Sequence, residues 1–268
     1  MTLPLFSERN LMKILMIGDV TSPRSALWLT GMLPKIRHKY GADFITVNAE
    51  NASFIFGPSP ETAEALLRAG ADVITGGNHT LQNFALADRI STMPRALRPA
   101  NYPSAAPGRG YAILSAGGAR ILVLSLLGRV HMDPPLGSPF EAADEILSRE
   151  SGKYDIAIVD FHAEASGEKL ALARHLDGRV ACFSGTHTHV PSADLTVLPN
   201  GTGYVTDLGM CGAQDGILGI RADELLERYL TGVNRKLSPA EGEIAADAVL
   251  FTVDPVRGAT TALERVRF

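Results

Sequence analysis

His187-Thr188-His189 places two imidazoles on one short stretch, and imidazole with carboxylate is the ligand chemistry that suits zinc, manganese and iron. Alone, such a pair is common in proteins. It gains weight from other residues that fall at comparable places. Asp19 directly follows the apolar run 12–17, while Asn48, Glu50 and Asn51 follow the run 43–47. Asn78 and His79 follow 71–75 after Gly76-Gly77, His162 follows 155–160, and the imidazole pair follows 179–184. These runs are rich in Ile, Val and Leu, as strands buried on both faces should be. In α/β sheets the carboxyl ends of the strands converge on the ligand site. Repeated strand-end placement therefore points to one shared metal centre.

Charge narrows the chemistry. As ligands, Asp19 and Glu50 supply two negative charges, and Asn78, His162, His187 and His189 supply none. Two divalent ions would leave that cluster positive even with a hydroxide between them. Such a site favours an anionic substrate, and paired ions ~3.5–4 Å apart clamp the attacking and leaving oxygens of phosphoryl transfer. His79, beside Asn78, is placed either to protonate a leaving oxygen or to orient its neighbour.

The elements that must hold these groups alternate in the first half. Helical patterns at about 24–39, 60–69 and 80–90 separate the first strands, and Ser59-Pro60 opens the second of them. Pro34 predicts a kink or an early stop in the first. Gly117-Gly118 reads as a hairpin before the strand 120–126, Ser138-Pro139 opens a helix over about 138–150, and another follows at 167–176. Later, Asn200-Gly201 predicts a hairpin between 193–198 and 203–206. A short helix at 222–231 and a strand pair at 243–253 and 260–267 close the chain. Single strands with helices between them, then hairpins, predict an α/β fold with a mixed sheet, or two stacked sheets, flanked by helices. With no repeat and no linker, residues 1–268 read as one domain.

Composition excludes several classes. Net charge is −4 and no basic cluster exceeds two residues, which argues against extended nucleic-acid binding. A small phosphate-containing substrate stays compatible, because metal ions bring their own charge. Cys182 and Cys211 form neither a C-x-x-C motif nor a disulfide framework, the usage of a reduced, cytoplasmic protein. The run Leu11 to Ile17, preceded by Glu8 and Arg9, is too short to span a membrane and lacks a signal peptide's basic start. Glu164 and Glu168 could orient a ligand histidine, although solvated carboxylates are the commoner outcome for such residues.

The segments Gly18-Asp19, Asn48-Ala49-Glu50-Asn51, Gly77-Asn78-His79, Asp160-Phe161-His162-Ala163-Glu164 and Gly185-Thr186-His187-Thr188-His189 occur in that order. Together they resemble the calcineurin-like metallophosphoesterase superfamily and, more narrowly, the YmdB-type bacterial phosphodiesterases. The likeness spans nearly the whole chain and includes Leu126 to Val130 and Thr206 to Met210. It implies a four-layer α/β/β/α sandwich of two mixed sheets flanked by helices. It also implies two divalent ions, iron or manganese rather than a fixed zinc site. Asp19, His189 and Asn51 would hold the first ion, and Asn78, His162 and His187 the second, with Glu50 bridging. A bridging hydroxide would attack, His79 would be the general acid, and the substrates would be phosphodiesters such as 2′,3′-cyclic nucleotides. A homo-oligomer is a further implication.

Two departures from the family pattern lie beside these residues. Thr21 stands where the wider superfamily has a histidine, with Asn51 the available substitute. Thr21-Ser22-Pro23 and Leu81-Gln82-Asn83 also replace the usual continuations. Two other functions compete. A metal-dependent hydrolase of carbon–nitrogen bonds would need H-x-H near the first strand and eight βα units, whereas this pair comes late. A catalytically weak, metal-bound regulatory or RNA-related scaffold is kept open by Thr21.

Overall fold

The computed structural model describes residues 11–268, so Glu8 and Arg9 lie outside the described residues. One sheet of seven strands is built from β1 (Met12–Ile17), β2 (Asp19–Val20), β3 (Phe44–Asn48) and β4 (Val73–Thr75), joined by β11 (Met210–Ala213), β12 (Ile244–Asp254) and β13 (Ala259–Arg267). A sheet of six contains β5 (Tyr111–Ala116), β6 (Ala119–Leu127), β7 (Ile156–His162), β8 (Cys182–Thr186), β9 (Thr196–Val197) and β10 (Gly203–Val205). Both sheets are mixed: β1, β3 and β4 run parallel, as do β6, β7, β8 and β10, while β12 and β5 pair antiparallel to their neighbours.

Side-chain alternation fixes the layers. Leu15 and Ile17 of β1 pack with Leu29, Leu33 and Leu66 on the outer face of the first sheet. Ile14 and Met16, one residue out of phase, pack between the sheets against Ile121, Val123, Ile156 and Ile158. Leu122, Leu124, Ala157 and Val159 face outward again, under Ile146, Leu147 and Leu172. Strands used on both faces read as unbroken apolar runs, because successive side chains point to opposite sides. The outer helices are α1 (Pro23–Tyr40) and α2 (Pro60–Ala69) on one side, α4 (Pro139–Arg149) and α5 (Ser166–His175) on the other. The result is the four-layer α/β/β/α sandwich, with two stacked sheets rather than one.

Local chemistry explains where the elements start and where the expectations miss. Ser22-Pro23, Ser59-Pro60 and Ser138-Pro139 each open a helix, the serine side chain accepting a first-turn amide proton with proline following. Pro34 does not stop α1, which continues to Tyr40 and ends at Gly41 in the left-handed conformation (φ 61°). Burial of Leu29, Leu33 and Ile36 on its inner face outweighs the one lost backbone hydrogen bond. The helix expected over 80–90 is broken into a 3₁₀ turn at Thr80–Gln82, α3 (Phe84–Arg89) and a second turn at Ile90–Thr92. Asn83 makes the break: its backbone is extended, and its side chain caps α3 by accepting from the Leu86 amide. The strand expected at 179–184 starts three residues late and ends two late, at Cys182–Thr186. α6 (Ala222–Thr231) and the β12–β13 pair stand where the pattern places them.

Candidate active site

Close backbone approach sets the site before any side chain is considered. A Cβ on Gly18 would lie 2.1 Å from the Gly209 carbonyl oxygen, so only glycine lets the chain pass there. Asp19 then enters β2, which pairs with Met210 and Cys211 of β11. Likewise, a Cβ on Gly77 would lie 2.1 Å from Cδ2 of the His162 ring, so Gly77 brings the loop after β4 directly against the end of β7. These approaches draw the carboxyl ends of β1, β3, β4, β7 and β8 to one place.

Asp19, Glu50, Asn51, Asn78, His79, His162, His187 and His189 all meet there. His162, fully buried, lies at the centre. Its Nε2 is 3.1 Å from Asn78 Oδ1, 3.0 Å from His187 Nδ1 and 3.8 Å from Glu50 Oε1; its Nδ1 is 3.5 Å from Asp19 Oδ1. His189 Nε2 lies 3.9 Å from Asp19 Oδ1 and 3.3 Å from Asn51 Nδ2. Asn78 Nδ2 lies 3.3 Å from His79 Nε2. Among the described residues, no group of three or more His, Cys, Asp or Glu side chains is placed to hold a metal ion as it stands.

The partners of each ring fix where its proton sits. The Thr186 hydroxyl donates to Asp160 Oδ1 at 2.8 Å and accepts from Asn48 Nδ2 at 3.2 Å, so it meets His162 Nδ1, at 3.1 Å, as an acceptor. His162 Nδ1 therefore carries the proton and Nε2 a lone pair. His187 Nε2 lies 3.2 Å from Glu164 Oε2, and the carboxylate favours the proton on that nitrogen, which leaves the lone pair on Nδ1. Three acceptors, His162 Nε2, His187 Nδ1 and Asn78 Oδ1, then point at one another with no proton between them. A second group has the same character. His189 Nδ1 donates to the Leu218 carbonyl at 3.1 Å, leaving a lone pair on Nε2 that accepts from Asn51 Nδ2 at 3.3 Å and stands beside Asp19 Oδ1, a buried oxygen with no hydrogen-bond partner. Buried lone pairs without donors cost free energy, and a cation is what resolves them. The donor set fits divalent metal ions.

Glu50 sits between the two groups. Its carboxylate accepts from the backbone amides of Gly77 and His79 and from the Thr80 hydroxyl at 3.0 Å. Burial nevertheless pushes its pKa up to about 8, against those three hydrogen bonds and with help from the Asp160 charge. Burial also raises Asp19 well above the carboxylate range, with Asp207 adding repulsion, and lifts Asp160 to about 6. The imidazoles move the opposite way: His187 falls to about 4 and His162 well below its usual value, both chiefly by burial. Burial thus opposes charge on both kinds of group, and a cation held beside the carboxylates would offset that cost.

A stability trend follows for the metal-stripped protein. Glu50 keeps its proton in the folded state to about pH 8, whereas in the unfolded chain it ionises near its ordinary 4.5. The folded state binds more protons through that window, so stability falls as pH rises. Between pH 7 and 8 the expected loss is about 1 kcal/mol from Glu50, and Asp19, also raised, acts in the same direction. The lowered imidazoles act oppositely, because the unfolded chain still protonates them near pH 6.5. Above pH 7 that opposing contribution is only ~0.1–0.2 kcal/mol for each ring. Urea denaturation of chelated protein at the two pH values measures the difference. Equal or rising stability contradicts it, and saturating Mn²⁺ should abolish the trend.

A cavity of about 270 Å³ opens beside these groups, lined by Asn51, His79, His187 and His189 on one side and by apolar side chains on the other. Thr21 lines it too, but its hydroxyl is spent on the Cys211 carbonyl at 3.2 Å. Several residues here escape a reading of the sequence. Glu164 takes the less common of its two sequence readings, lying 3.2 Å from His187 Nε2 where it orients that ring. Glu168 instead accepts from the Arg129 and Val130 amides. Asp160 is legible in one respect, as a charge inside a buried strand that must have partners. The buried Lys169–Asp207 pair, at 2.8 Å, has no such signal.

The geometry has counterparts in known proteins. The model of a family described as YmdB-like protein matches residues 15–266. The 2′,3′-cyclic-nucleotide 2′-phosphodiesterase of Bacillus subtilis (strain 168) is 38% identical over 255 residues, 95% of this chain and 96% of that protein. A crystal structure of a hypothetical protein from Thermus thermophilus superposes with a TM-score of 0.88 at 37% identity, covering 96% of this chain and 99% of that one. The structure of a protein described as a novel phosphatase of Mycoplasma pneumoniae gives a TM-score of 0.87 at 32% identity, covering 97% and 94%.

Proposed function

Because this chain belongs to the YmdB-like family, we propose that it is a metal-dependent phosphoric diester hydrolase acting on phosphodiesters, with 2′,3′-cyclic nucleotides as its substrate class. The observation that carries the reading is the convergence of proton-free acceptors in two groups. Asp19, His189 and Asn51 would hold one divalent ion and Asn78, His162 and His187 a second, with Glu50 between them. Iron or manganese is the family's expected metal. Bound there, the ions would stabilise charge on the phosphoryl oxygens and supply hydroxide at neutral pH. Asn51 must turn its amide to offer Oδ1, since Nδ2 now faces His189. That rotation is the way this chain makes up for Thr21.

The protein's own groups handle the leaving oxygen. His79 Nδ1 donates to Gln82 Oε1 at 2.9 Å, which leaves Nε2, now 3.3 Å from Asn78 Nδ2 on a ring that lines the cavity, as the atom that would take up a proton and pass it to the leaving oxygen. Gln82 thereby fixes the ring's tautomer and its aim. Among the described residues no helix is long and apolar enough to cross a membrane. Cys182 and Cys211 are free, buried thiols, which supports placing the protein in a reducing cytoplasm as one catalytic domain. Homo-oligomer formation rests on the family likeness alone, and a light-scattering mass decides it.

The test is hydrolysis of bis(p-nitrophenyl) phosphate by metal-stripped protein, with and without Mn²⁺. Turnover should return with metal, and His79→Ala should lower it by ~10²–10⁴-fold. Metal-independent turnover, or a His79→Ala protein at the parental rate, would remove the reading. Stoichiometric metal without turnover of any diester would favour the scaffold instead.

A further inference from the structure

The apolar side of the cavity has a distinct construction. Phe54, Ile55, Leu218, Ile220 and Leu237 line it, and none offers a side-chain hydrogen-bonding group. Phe54 (φ 56°), Ile55 (φ 67°) and Leu218 (φ 54°) are held at positive φ, as are His187 (φ 103°) and His189 (φ 63°) on the opposite side. Positive φ is uncommon outside glycine, and for a β-branched residue such as Ile55 it is an outlier. Among the described residues, every non-glycine in that conformation except His131 lines this one cavity. Backbone strain gathered around a pocket marks a shape kept for use.

Several of the wall's backbone polar groups are already committed. The Phe54 amide donates to the Asn51 carbonyl at 2.8 Å, and Ile220 exchanges both of its backbone bonds with Ile217 at 2.8 and 3.0 Å. The Gly219 carbonyl accepts from the Ala240 amide at 2.9 Å, and the Leu218 carbonyl from His189. The wall is therefore apolar in the side chains it turns to the cavity, with the Ile220 backbone and the Leu218 and Gly219 carbonyls spent elsewhere. At about 270 Å³ the space lies at the small end of ligand pockets, ~300–1,000 Å³. It has room for one planar ring system, not a stacked pair.

We propose that this wall receives the nucleobase of the substrate and does not read its edges, so the enzyme is indifferent to base identity. The inference rests on the phosphodiesterase reading, because it takes the scissile phosphate to lie beside His79 and His187. A site that hydrogen-bonds its substrate rejects an analogue by ~10⁴–10⁵, whereas an apolar pocket that senses only size separates substrates by ~10–200-fold. Base stacking against apolar and aromatic surface tolerates every base for the same reason. Arg228, at the rim, is the one cation lining the cavity among the described residues. It supplies the way the inference would fail, since a guanidinium pairs with guanine O6 and N7.

The experiment compares kcat/KM of the Mn²⁺-loaded full chain on the 2′,3′-cyclic phosphates of adenosine, guanosine, cytidine and uridine, and on base-free ribose 2′,3′-cyclic phosphate. The four nucleosides should agree within about tenfold and should exceed the base-free compound by about tenfold or more, through KM. Leu237→Ala and Ile220→Ala should raise KM for all four bases alike. A hundredfold preference for one base overturns the inference; if the base is guanine and Arg228→Ala abolishes the preference, the rim reads it. Equal rates with and without a base also overturn it. Bis(p-nitrophenyl) phosphate separates the two levels of failure. Its turnover alongside base discrimination defeats this inference alone, whereas no turnover of any diester defeats the phosphodiesterase reading beneath it.

Discussion

His187→Ala is expected to lower kcat on bis(p-nitrophenyl) phosphate by about 10³-fold or more and to remove one of the two proposed ions. The ring is oriented by Glu164 through Nε2, so that Nδ1 faces His162 Nε2 at 3.0 Å. Without it, the acceptor group around Asn78 keeps only two strong donors besides Glu50, too few to hold a divalent ion against water. The fold should tolerate the change. His187 is neutral at pH 7 and partly open to the cavity, and its ring meets the buried His162 edge-on at 4.8 Å, so the metal-free stability should shift by only about 1 kcal/mol. Metal content by emission spectroscopy, read beside kcat and the urea midpoint, separates a lost ligand from a lost fold. Parental turnover by a variant that still carries two ions would mean that His187 is no ligand.

The strand ends were the legible part of this molecule. Buried strands of a double-sheet sandwich are apolar on both faces, so the polar residue that stops each run stands out, as Asp19, Glu50, Asn78, His162 and His187 do. Layer assignment was less accessible: a run such as Ile14 to Ile17 looks the same whether one face or both are covered, and only the contacts show that Leu15 and Ile14 serve different cores. β2 and β11 went unread because two and four residues carry no periodicity, although their pairing is what carries Asp19 into the site. The broken helix at 80–90 has a similar cause, since Asn83 acts through its side chain on a local amide and leaves no apolar signature.

Around the site, the partners of the proposed ligands were less legible than the ligands themselves. Glu164 is exposed and looks like any solvated carboxylate until His187 is seen 3.2 Å away. The Leu218 carbonyl, which fixes the His189 tautomer, belongs to the main chain, and no side chain announces it. Thr75, Asn48 and Thr186 each donate to Asp160 across strands far apart in sequence, and together they hold an anion that in turn sets His162. Outer partners of this kind are chosen by three-dimensional proximity, so spacing along the chain does not encode them.

Lys169→Met is expected to cost about 3–5 kcal/mol of stability, and its double variant separates that cost from an effect on catalysis. Lys169 is fully buried in α5, and its ammonium lies 2.8 Å from Asp207 Oδ2, which is itself buried. The same oxygen accepts from the Thr188 amide at 3.1 Å and the Thr188 hydroxyl at 2.8 Å, while Oδ1 accepts from the Gly209 amide at 2.9 Å. Thr188 stands between His187 and His189, so the pair anchors both imidazoles at once. Removing the lysine alone leaves a buried carboxylate without its cation, and breaking such a pair costs far more than replacing it. Lys169→Met with Asp207→Asn removes both charges with little change in volume and should recover most of the lost stability. Activity should not recover with it. An asparagine that presents its amide nitrogen to Thr188 offers two donors to two donors, so the loop loses its anchor and kcat should stay down by about 10–100-fold. Urea midpoints and kcat on bis(p-nitrophenyl) phosphate for the parent, both single variants and the double give the cycle. If stability and kcat recover together, the pair only supports the fold; if stability alone returns, the pair positions the imidazoles.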